Sequence, residues 1–502
     1  MEKRVLLAVA LSMLILLVWS MLAPKTTTLP PPALQQKQPA AAGIPTQLTA
    51  PVTPQPSAPP IELSNDKFTV IFMEQQAAIR EIVFKDYQSH HFILKYGFSL
   101  EDPTLNFTKQ MISKDTVLFV ASDSNKRISK QFIFHNSNYT MELGITIQNI
   151  SAQPLNINLP LILGVLNLNA DPNQGRFQDT IIALPDKNLH PNARNNITSA
   201  GIKFTGLRDR YFCAIIEPVN ANYTAFIKKI MPQESEVGVI MPATTLDPGQ
   251  QFQQNFHIYL GPQDLKIISE AKPEWSAIMY YGIFDVIAKL LLQLIEFIYG
   301  LVHNWGTTII VLSILIYFCL YPLSIKQMRS VKEMQALQPR VEELKNIHKN
   351  NPQKLNKEIM ELYREHKVNP LGGCLPLVLQ IPIFFALYQA LIRSIALKGA
   401  HFLWIKDLSE PDRAFIMPFS VPMLGKEFNV LPILMVITMF IQQKITTTAS
   451  SGTSSEQQKF MLILMPLMFL FIFYHMPAGL VLYWFVNSVL MLLYQFKINR
   501  GQ

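Results

Sequence analysis

The sequence predicts a polytopic α-helical membrane protein that carries one large β-rich domain. Three observations predict it. Of 502 residues, 49% are hydrophobic and only 16% are charged, against roughly 25% charged in soluble domains. Apolar runs recur, one at the N-terminus and several near the C-terminus, approaching the roughly 20 helical residues that a bilayer core requires. Between the first run and the rest, short β-branched and aromatic segments alternate with Asn, Asp, Gly and Pro clusters, the pattern of a β-sandwich.

Residues 1–23 form the first span, with Val5–Ala23 apolar and Lys3 and Arg4 before it. Its length favours a retained anchor over a cleaved signal peptide. Residues 24–60 hold eleven prolines among thirty-seven residues, the composition of an extended linker rather than a core. Residues 61–265 read as the β-domain, from segments such as "KFTVIFMEQQAAIREIVF", "ISKQFIFHN" and "YTMELGITIQNI". Residues 266–300 read as a connector and an amphipathic helix over Trp275–Tyr299. There Asp285, Lys289 and Glu296 recur on one face, as in a helix lying at a membrane interface; the alternative is one more span.

Residues 301–502 read as a helical core with spans near 306–323, 371–395, 428–445, 460–476 and 480–496. Met417–Leu424 is apolar but short and contains Pro418 and Pro422, so it is expected to be a loop or a re-entrant element. The three cysteines, Cys213, Cys319 and Cys374, leave the β-domain without an internal disulfide.

Charge sets the orientation. Lys3 and Arg4 hold the N-terminus in the cytoplasm, and one crossing exports the β-domain. The loop 324–369 then returns inside with ten Lys or Arg and six Glu. The remaining crossings leave the C-terminus inside. The expected location is the bacterial inner membrane, multi-pass, with the β-domain in the periplasm. In the 324–369 loop, apolar stripes at Met328, Val331, Met334 and Leu337 and at Leu355, Ile359 and Leu362 predict two helices that pair as a hairpin. It is either a charged connector facing water or a docking surface for a protein. The interspersed glutamates argue against specific nucleic-acid recognition.

The stretches "YPLSIKQMRSVKEMQALQP" (Tyr321–Pro339), "NPLGGCLPLVLQIPIFFALYQAL" (Asn369–Leu391), "FLWIKDLS" (Phe402–Ser409), "PILMVITMFIQQK" (Pro432–Lys444) and "PAGLVLYWFVNS" (Pro477–Ser488) resemble the YidC/Oxa1/Alb3 family of membrane protein insertases, in its Gram-negative form with a large periplasmic domain. The resemblance implies a periplasmic β-supersandwich and a five-helix insertase core with a cytoplasmic helical hairpin. It also implies a groove open to the cytoplasm and lipid but closed to the outside. The implied activity is insertion and folding of inner-membrane proteins, alone or beside the Sec translocon. Implied partners are nascent membrane proteins and lipids, with the ribosome or targeting factors at the hairpin.

The resemblance also implies a positive residue five positions before the proline of the Tyr-Pro motif. Here that proline is Pro322 and the position holds Tyr317, so the groove would be polar but uncharged. Ser313, Tyr317 and Ser324 share a helix face by spacing. Gln380 faces either the groove or a neighbouring helix. Tyr483, Asn487 and Tyr494 share a face of the last span. Trp484 is either the family's substrate-contacting aromatic or ordinary packing. Arg393 lies thirteen residues beyond Gln380, about 20 Å further along the helix, near the outer leaflet; its expected role is to snorkel to headgroups, the alternative being to supply the missing charge.

No cofactor or metal is expected. The chain holds neither a Walker glycine loop nor an HExxH motif, and insertion needs no bond chemistry. The competing reading is a secondary transporter, which would call for repeated halves around a midplane site; no repeat is visible.

Overall fold

The structure is a computed structural model. It describes residues 61–500, apart from 88, 103, 136–137, 169–176, 221, 349–350, 367, 369–374, 422–423 and 449–455. The expected anchor and linker, 1–60, lie outside the described residues. The chain divides into two compact units, one within 1–209 and 214–260 and the other formed by 210–213 and 261–502.

The first unit is built from antiparallel sheets. A four-stranded sheet runs in chain order from Ile61–Ser64 through Phe68–Met73 and Ala78–Phe84 to His90–Gly97. A nine-stranded sheet has at its centre Gln251–Pro262, Thr140–Asn149, Lys126–Phe134 and Thr116–Ser122 as successive neighbours. A third sheet of five strands includes Pro160–Asn167, Thr224–Met231 and Glu234–Ile240. Strict alternation builds the core: in Thr140–Asn149 every second residue is buried, including Met141, Leu143, Ile145 and Ile147. Phe72 of the four-stranded sheet meets Phe119 and Phe132 of the nine-stranded one at ring-centroid distances of 5.5 and 5.2 Å. Face-to-face sheet packing of this kind buries both apolar faces.

One inward position breaks the pattern. Lys130 lies between Ile128 and Phe132 on the buried face of Lys126–Phe134 and is fully enclosed. Its Nζ donates to the carbonyls of Ala77, at 2.6 Å, and Phe98, and sits over the rings of Phe107 and Phe132. Burial disfavours its charged form and brings its pKa down to about 7.

The second unit is helical. In chain order the helices are α1 (Leu265–Ala271), α2 (Asp285–Val302), α3 (Trp305–Ala336), α4 (Gln338–Ile347), α5 (Pro352–Glu365), α6 (Leu375–Ile392), α7 (Val430–Thr448), α8 (Glu456–Tyr474) and α9 (Ala478–Arg500). By length and composition α3 and α9 hold segments able to cross a membrane, over Trp305–Ile325 and Ala478–Lys497. Gln380–Ile392, Val430–Ile445 and Leu464–Tyr474 are shorter apolar helices among the described residues.

Three sequence expectations need correction. The helix expected over Trp275–Tyr299 begins only at Asp285. Pro273 opens a 3-10 turn over Pro273–Ile278, and Gly282, at φ +80°, precedes the helix in a conformation that favours glycine. The expected start of the charged loop at 324 is not a helix boundary, because α3 runs on to Ala336. The break falls at Leu337, and Pro339 sits in the first turn of α4, where its missing N–H costs nothing. Finally, the part of Met417–Leu424 up to Val421, expected to be a loop or a re-entrant element, is strand rather than loop. Phe415–Val421 and Gly425–Phe428 pair as a β-hairpin with an irregular register. Pro418 falls inside that irregularity, where no ladder bond is required of it.

α4 and α5 pack through Leu337, Val341, Leu362 and Val368, with Met334, Leu344, Ile359 and Tyr363 around them. The Asn351 side chain caps α5 by accepting from the Lys354 amide. Of the two apolar stripes, Met334 and Leu337 on one side and Ile359 and Leu362 on the other meet here.

The segment 402–429 ties four helix ends together, and a fifth packs beside them. A Cβ on Gly306, in the first turn of α3, would fall about 2.0 Å from the Phe402 ring, so only glycine admits that ring. Asp412 accepts from the amides of Val430 and Leu431 at the start of α7. The carbonyls of Leu408 and Glu410 accept from Gly479 and Ala478 at the start of α9. Asn429 donates to the carbonyl of Tyr474, the last residue of α8. Leu391, at the end of α6, lies 3.9 Å from the position of a Gly479 Cβ. The starts of α3, α7 and α9 and the ends of α6 and α8 therefore meet at one end of the bundle.

Candidate functional site

Because those five ends meet, depth along each helix can be compared. At 1.5 Å per residue, Tyr317 lies about 18 Å along α3 from that end. Gln380 lies about 18 Å along α6 and Gln442 about 18 Å along α7. Ser488 lies about 15 Å along α9. Four helices thus each place a polar group at a similar distance from the shared end, at about half of the roughly 30 Å that a hydrocarbon core spans.

The belt is partly connected. Gln380 Nε2 donates to Tyr483 Oη at 2.6 Å, bridging α6 and α9, and Tyr483 is fully buried. Asn487 Nδ2 donates to the Tyr483 carbonyl at 2.8 Å, a bond within its own helix. Gln442 Nε2 donates to the Ser488 carbonyl at 3.2 Å, joining α7 to α9, and Gln443 Nε2 approaches Met465 Sδ of α8 at 3.7 Å. Deeper along α9, Gln495 Oε1 is buried and accepts no hydrogen bond among the described residues. A buried acceptor of this kind is ordinarily satisfied by water.

The residues singled out by sequence divide into groups. Gln380, Tyr483 and Asn487 come together, and of the two readings of Gln380 the cross-helix pair is the one present. Tyr317 is half-buried and packs on Phe318 and Tyr321; Tyr321 in turn meets Tyr494 of α9 edge-on at 5.3 Å. Ser313 does not contribute to an open polar face. It is fully buried and its hydroxyl donates back to the Ile309 carbonyl, as Ser324 does to Leu320, the usual way a hydroxyl is satisfied within an apolar helix. Trp484 lies among Phe384, Phe469 and Phe473 at centroid distances of 5.4, 5.8 and 5.2 Å, joining α6, α8 and α9. Arg393, just past the end of α6, is only 7% exposed. The expected snorkelling to headgroups does not describe it, because protein encloses the side chain.

Gln442, Gln443, Ser488 and Gln495 were missed. Each is a polar residue beside apolar ones, but the sequence does not give the helix-end alignment that puts Gln442 and Ser488 at the depth of Tyr317 and Gln380.

A family model described as "60Kd inner membrane protein" matches residues 297–502, and one described as "YidC periplasmic domain" matches residues 94–294. The "Membrane protein insertase YidC" of Geotalea uraniireducens is 32% identical over 544 residues, covering all of this chain and 99% of the relative. The protein of the same description from Cupriavidus necator is 34% identical over 398 residues, covering 76% of this chain and 68% of its own. A solved structure described as "Active YidC insertase crystal structure with the first transmembrane domain resolved" aligns over 88% of this chain and 93% of its own, at 19% identity and a TM-score of 0.42.

Proposed function

The chain belongs to the YidC family of membrane protein insertases, in the form with a periplasmic domain, and it inserts and folds membrane proteins; we propose that it does so through a hydrated cleft whose floor is the polar belt of α3, α6, α7 and α9. It is a multi-pass protein of the inner membrane, and it is not an enzyme. The transporter reading is set aside by that membership.

The observation that carries the cleft is the matched depth of Tyr317, Gln380, Gln442 and Ser488. A polar segment crossing dry hydrocarbon costs several kcal/mol for each unpaired group. If water reaches the belt from the cytoplasmic side, a client's polar tail crosses only the dry remainder, about 15–18 Å rather than 30 Å. The client's own apolar segment then drives release into lipid, at about 0.8 kcal/mol per CH₂ buried. The side-chain chemistry suits the task. Amides and phenols donate and accept, so they solvate varied tails without fixing a charge. Trp484 and its phenylalanine neighbours supply the apolar wall beside the belt, and Tyr317 replaces a cation with a hydroxyl.

In this reading the bundle end tied by 402–429 faces the periplasm, and the α4–α5 hairpin faces the cytoplasm. With Glu and Lys mixed along its outer side, that hairpin is the docking place for targeting factors or the ribosome. The Sec translocon is a partner for larger clients.

The test is accessibility to a small water-soluble thiol reagent of single cysteines at Tyr317, Gln442 and, closer to the tied end, Thr308. Modification of the first two from the cytoplasmic side, with Thr308→Cys inert, is the expected result. Uniform inertness of all three would remove the cleft and leave family membership untouched.

A further inference from the structure

Among the described residues, the Phe415–Phe428 hairpin carries several exposed apolar side chains at the bundle end. Its base is held firmly. Ala414 donates its amide to the Phe428 carbonyl, Phe415 and Phe428 stack at 4.4 Å, and the Tyr474 hydroxyl donates to the Glu427 carbonyl. Arg413 pairs with Glu427 at 2.8 Å. Beyond that base the strand is apolar and open on both faces. Phe415 and Ile416 point to opposite faces and are 53% and 76% exposed; Phe419, beyond them, is 62% exposed.

A two-stranded ribbon alone is marginal in water, and this one shows apolar groups to solvent on both sides. Its edge is poorly suited to receive another strand, because Pro418 lacks a donor and the register slips between Ile416 and Val421. That argues against a partner strand as the occupant.

Continuity points to lipid. The hairpin base is bonded to Tyr474, and in the turn of α8 before it Phe471 and Ile472 are exposed, as are Ile437, Phe440 and Ile441 on α7. These are outward faces of helices in an inner-membrane protein, so the hairpin continues a surface that already meets acyl chains. Polar markers of an interface accompany it. Lys426 is exposed next to the turn, and Trp404 directs its indole Nε1 toward Asp412 Oδ2 at 3.4 Å. Aromatic rings with one polar end gather at headgroup depth, and Lys favours anionic headgroups.

We propose that the 415–428 hairpin is a shallow membrane anchor, with Phe415, Ile416 and Phe419 immersed below the headgroups of the periplasmic leaflet and Lys426 among them. It would pin the bundle end at a fixed height while client segments pass between the helices below. The proposal rests on the sidedness given under Proposed function.

The experiment uses the full chain with its native cysteines replaced by serine, in vesicles of phosphatidylethanolamine and phosphatidylglycerol. An environment-sensitive NBD label is placed at Phe419→Cys or at Ile416→Cys. At an interfacial depth, both labels should be quenched about twofold more by lipid carrying a nitroxide near the headgroup than by lipid carrying it deep in the chain. Both should also resist aqueous iodide relative to a label at the water-facing Lys345→Cys. Iodide quenching equal to that at Lys345, or lipid quenching that vanishes as protein becomes dense in the vesicle, overturns the anchor; the second outcome would assign the patch to another copy of the chain. Sidedness is read separately, from an impermeant maleimide on His401→Cys in intact cells and in inverted vesicles. Labelling of His401→Cys only from the cytoplasmic face, with the NBD sites still in lipid, would overturn the assigned leaflet while the immersion stands. Labelling from outside with wet NBD sites would overturn the anchor while the sidedness stands.

Discussion

The two units bury polarity in opposite ways. In the β-domain a single amine, Lys130, is enclosed by two carbonyls and two aromatic rings, and its site is closed. In the helical bundle the belt groups are neutral and spread over four helices, and the matching is incomplete: Gln380 finds Tyr483, but Gln495 Oε1, deeper along α9, accepts no bond among the described residues. A closed site that satisfies its one polar group specifies a single packing. A bundle with a spare buried acceptor invites water instead. The contrast separates a domain built to hold one conformation from a bundle built to admit something polar.

The largest expected effect lies in the closed site. Lys130→Ala leaves the Ala77 and Phe98 carbonyls without their donor and opens a void beneath Phe132. The loss should be about 3 kcal/mol. Labelling of a cysteine placed at the buried Ile145, with the native cysteines replaced by serine, across a urea series measures it, since Ile145 lies within the Thr140–Asn149 strand of the same unit. A loss well under about 1 kcal/mol would mean that the site is not closed.

The same residue gives a pH signature. Its folded pKa of about 7 lies below the ordinary lysine value of 10.5, so between those values the unfolded chain holds a proton that the folded domain lacks. Stability therefore rises with pH across this window, by about 2 kcal/mol from pH 7 to 9. Below pH 7 both states are protonated and this contribution is flat. Lys130→Met should abolish the slope. A slope that survives the substitution would assign it to another group.

The β-domain was the more legible half. Alternation located the strands, and in "ISKQFIF" the same period already placed Lys130 in line with Ile128 and Phe132 on the inner face. Period alone did not reveal what satisfied the amine, because Ala77 and Phe98 come from distant turns. The bundle helices were legible from apolar run length, yet the polar belt was not. Depth requires a common origin, and that origin is set by the 402–429 segment through bonds such as Asp412 to Leu431 and Leu408 to Gly479, which no local pattern announces. The 415–428 hairpin was misread for a related reason: Pro418 and Pro422 signal an interruption but not that the flanking residues pair.

Next in size is a test of the belt. Replacing Gln380 with Leu and Tyr483 with Phe removes both partners together, which is nearly neutral for stability. Insertion of a client with a polar tail should nonetheless fall about tenfold for each 1.4 kcal/mol that drying adds to the barrier. A client with a short apolar tail should be affected far less. Equal loss for both clients would point to a packing defect rather than to lost hydration.

The smallest effect is the most discriminating. Tyr317 is half-buried beside Tyr321 at the depth of the belt. In dry hydrocarbon an arginine there would cost about 2.5–3.5 kcal/mol, enough to depress folding yield sharply. In contact with water it would cost well under 1 kcal/mol, within the range of ordinary surface substitutions. Tyr317→Arg should therefore accumulate and insert clients at near the original rate, with a modest preference for acidic tails drawn by the new charge. Normal accumulation with no change in tail preference would place the guanidinium in water but away from the client path. Collapse of the variant would make this stretch of α3 as closed as the pocket around Lys130, and the contrast between the two units would disappear.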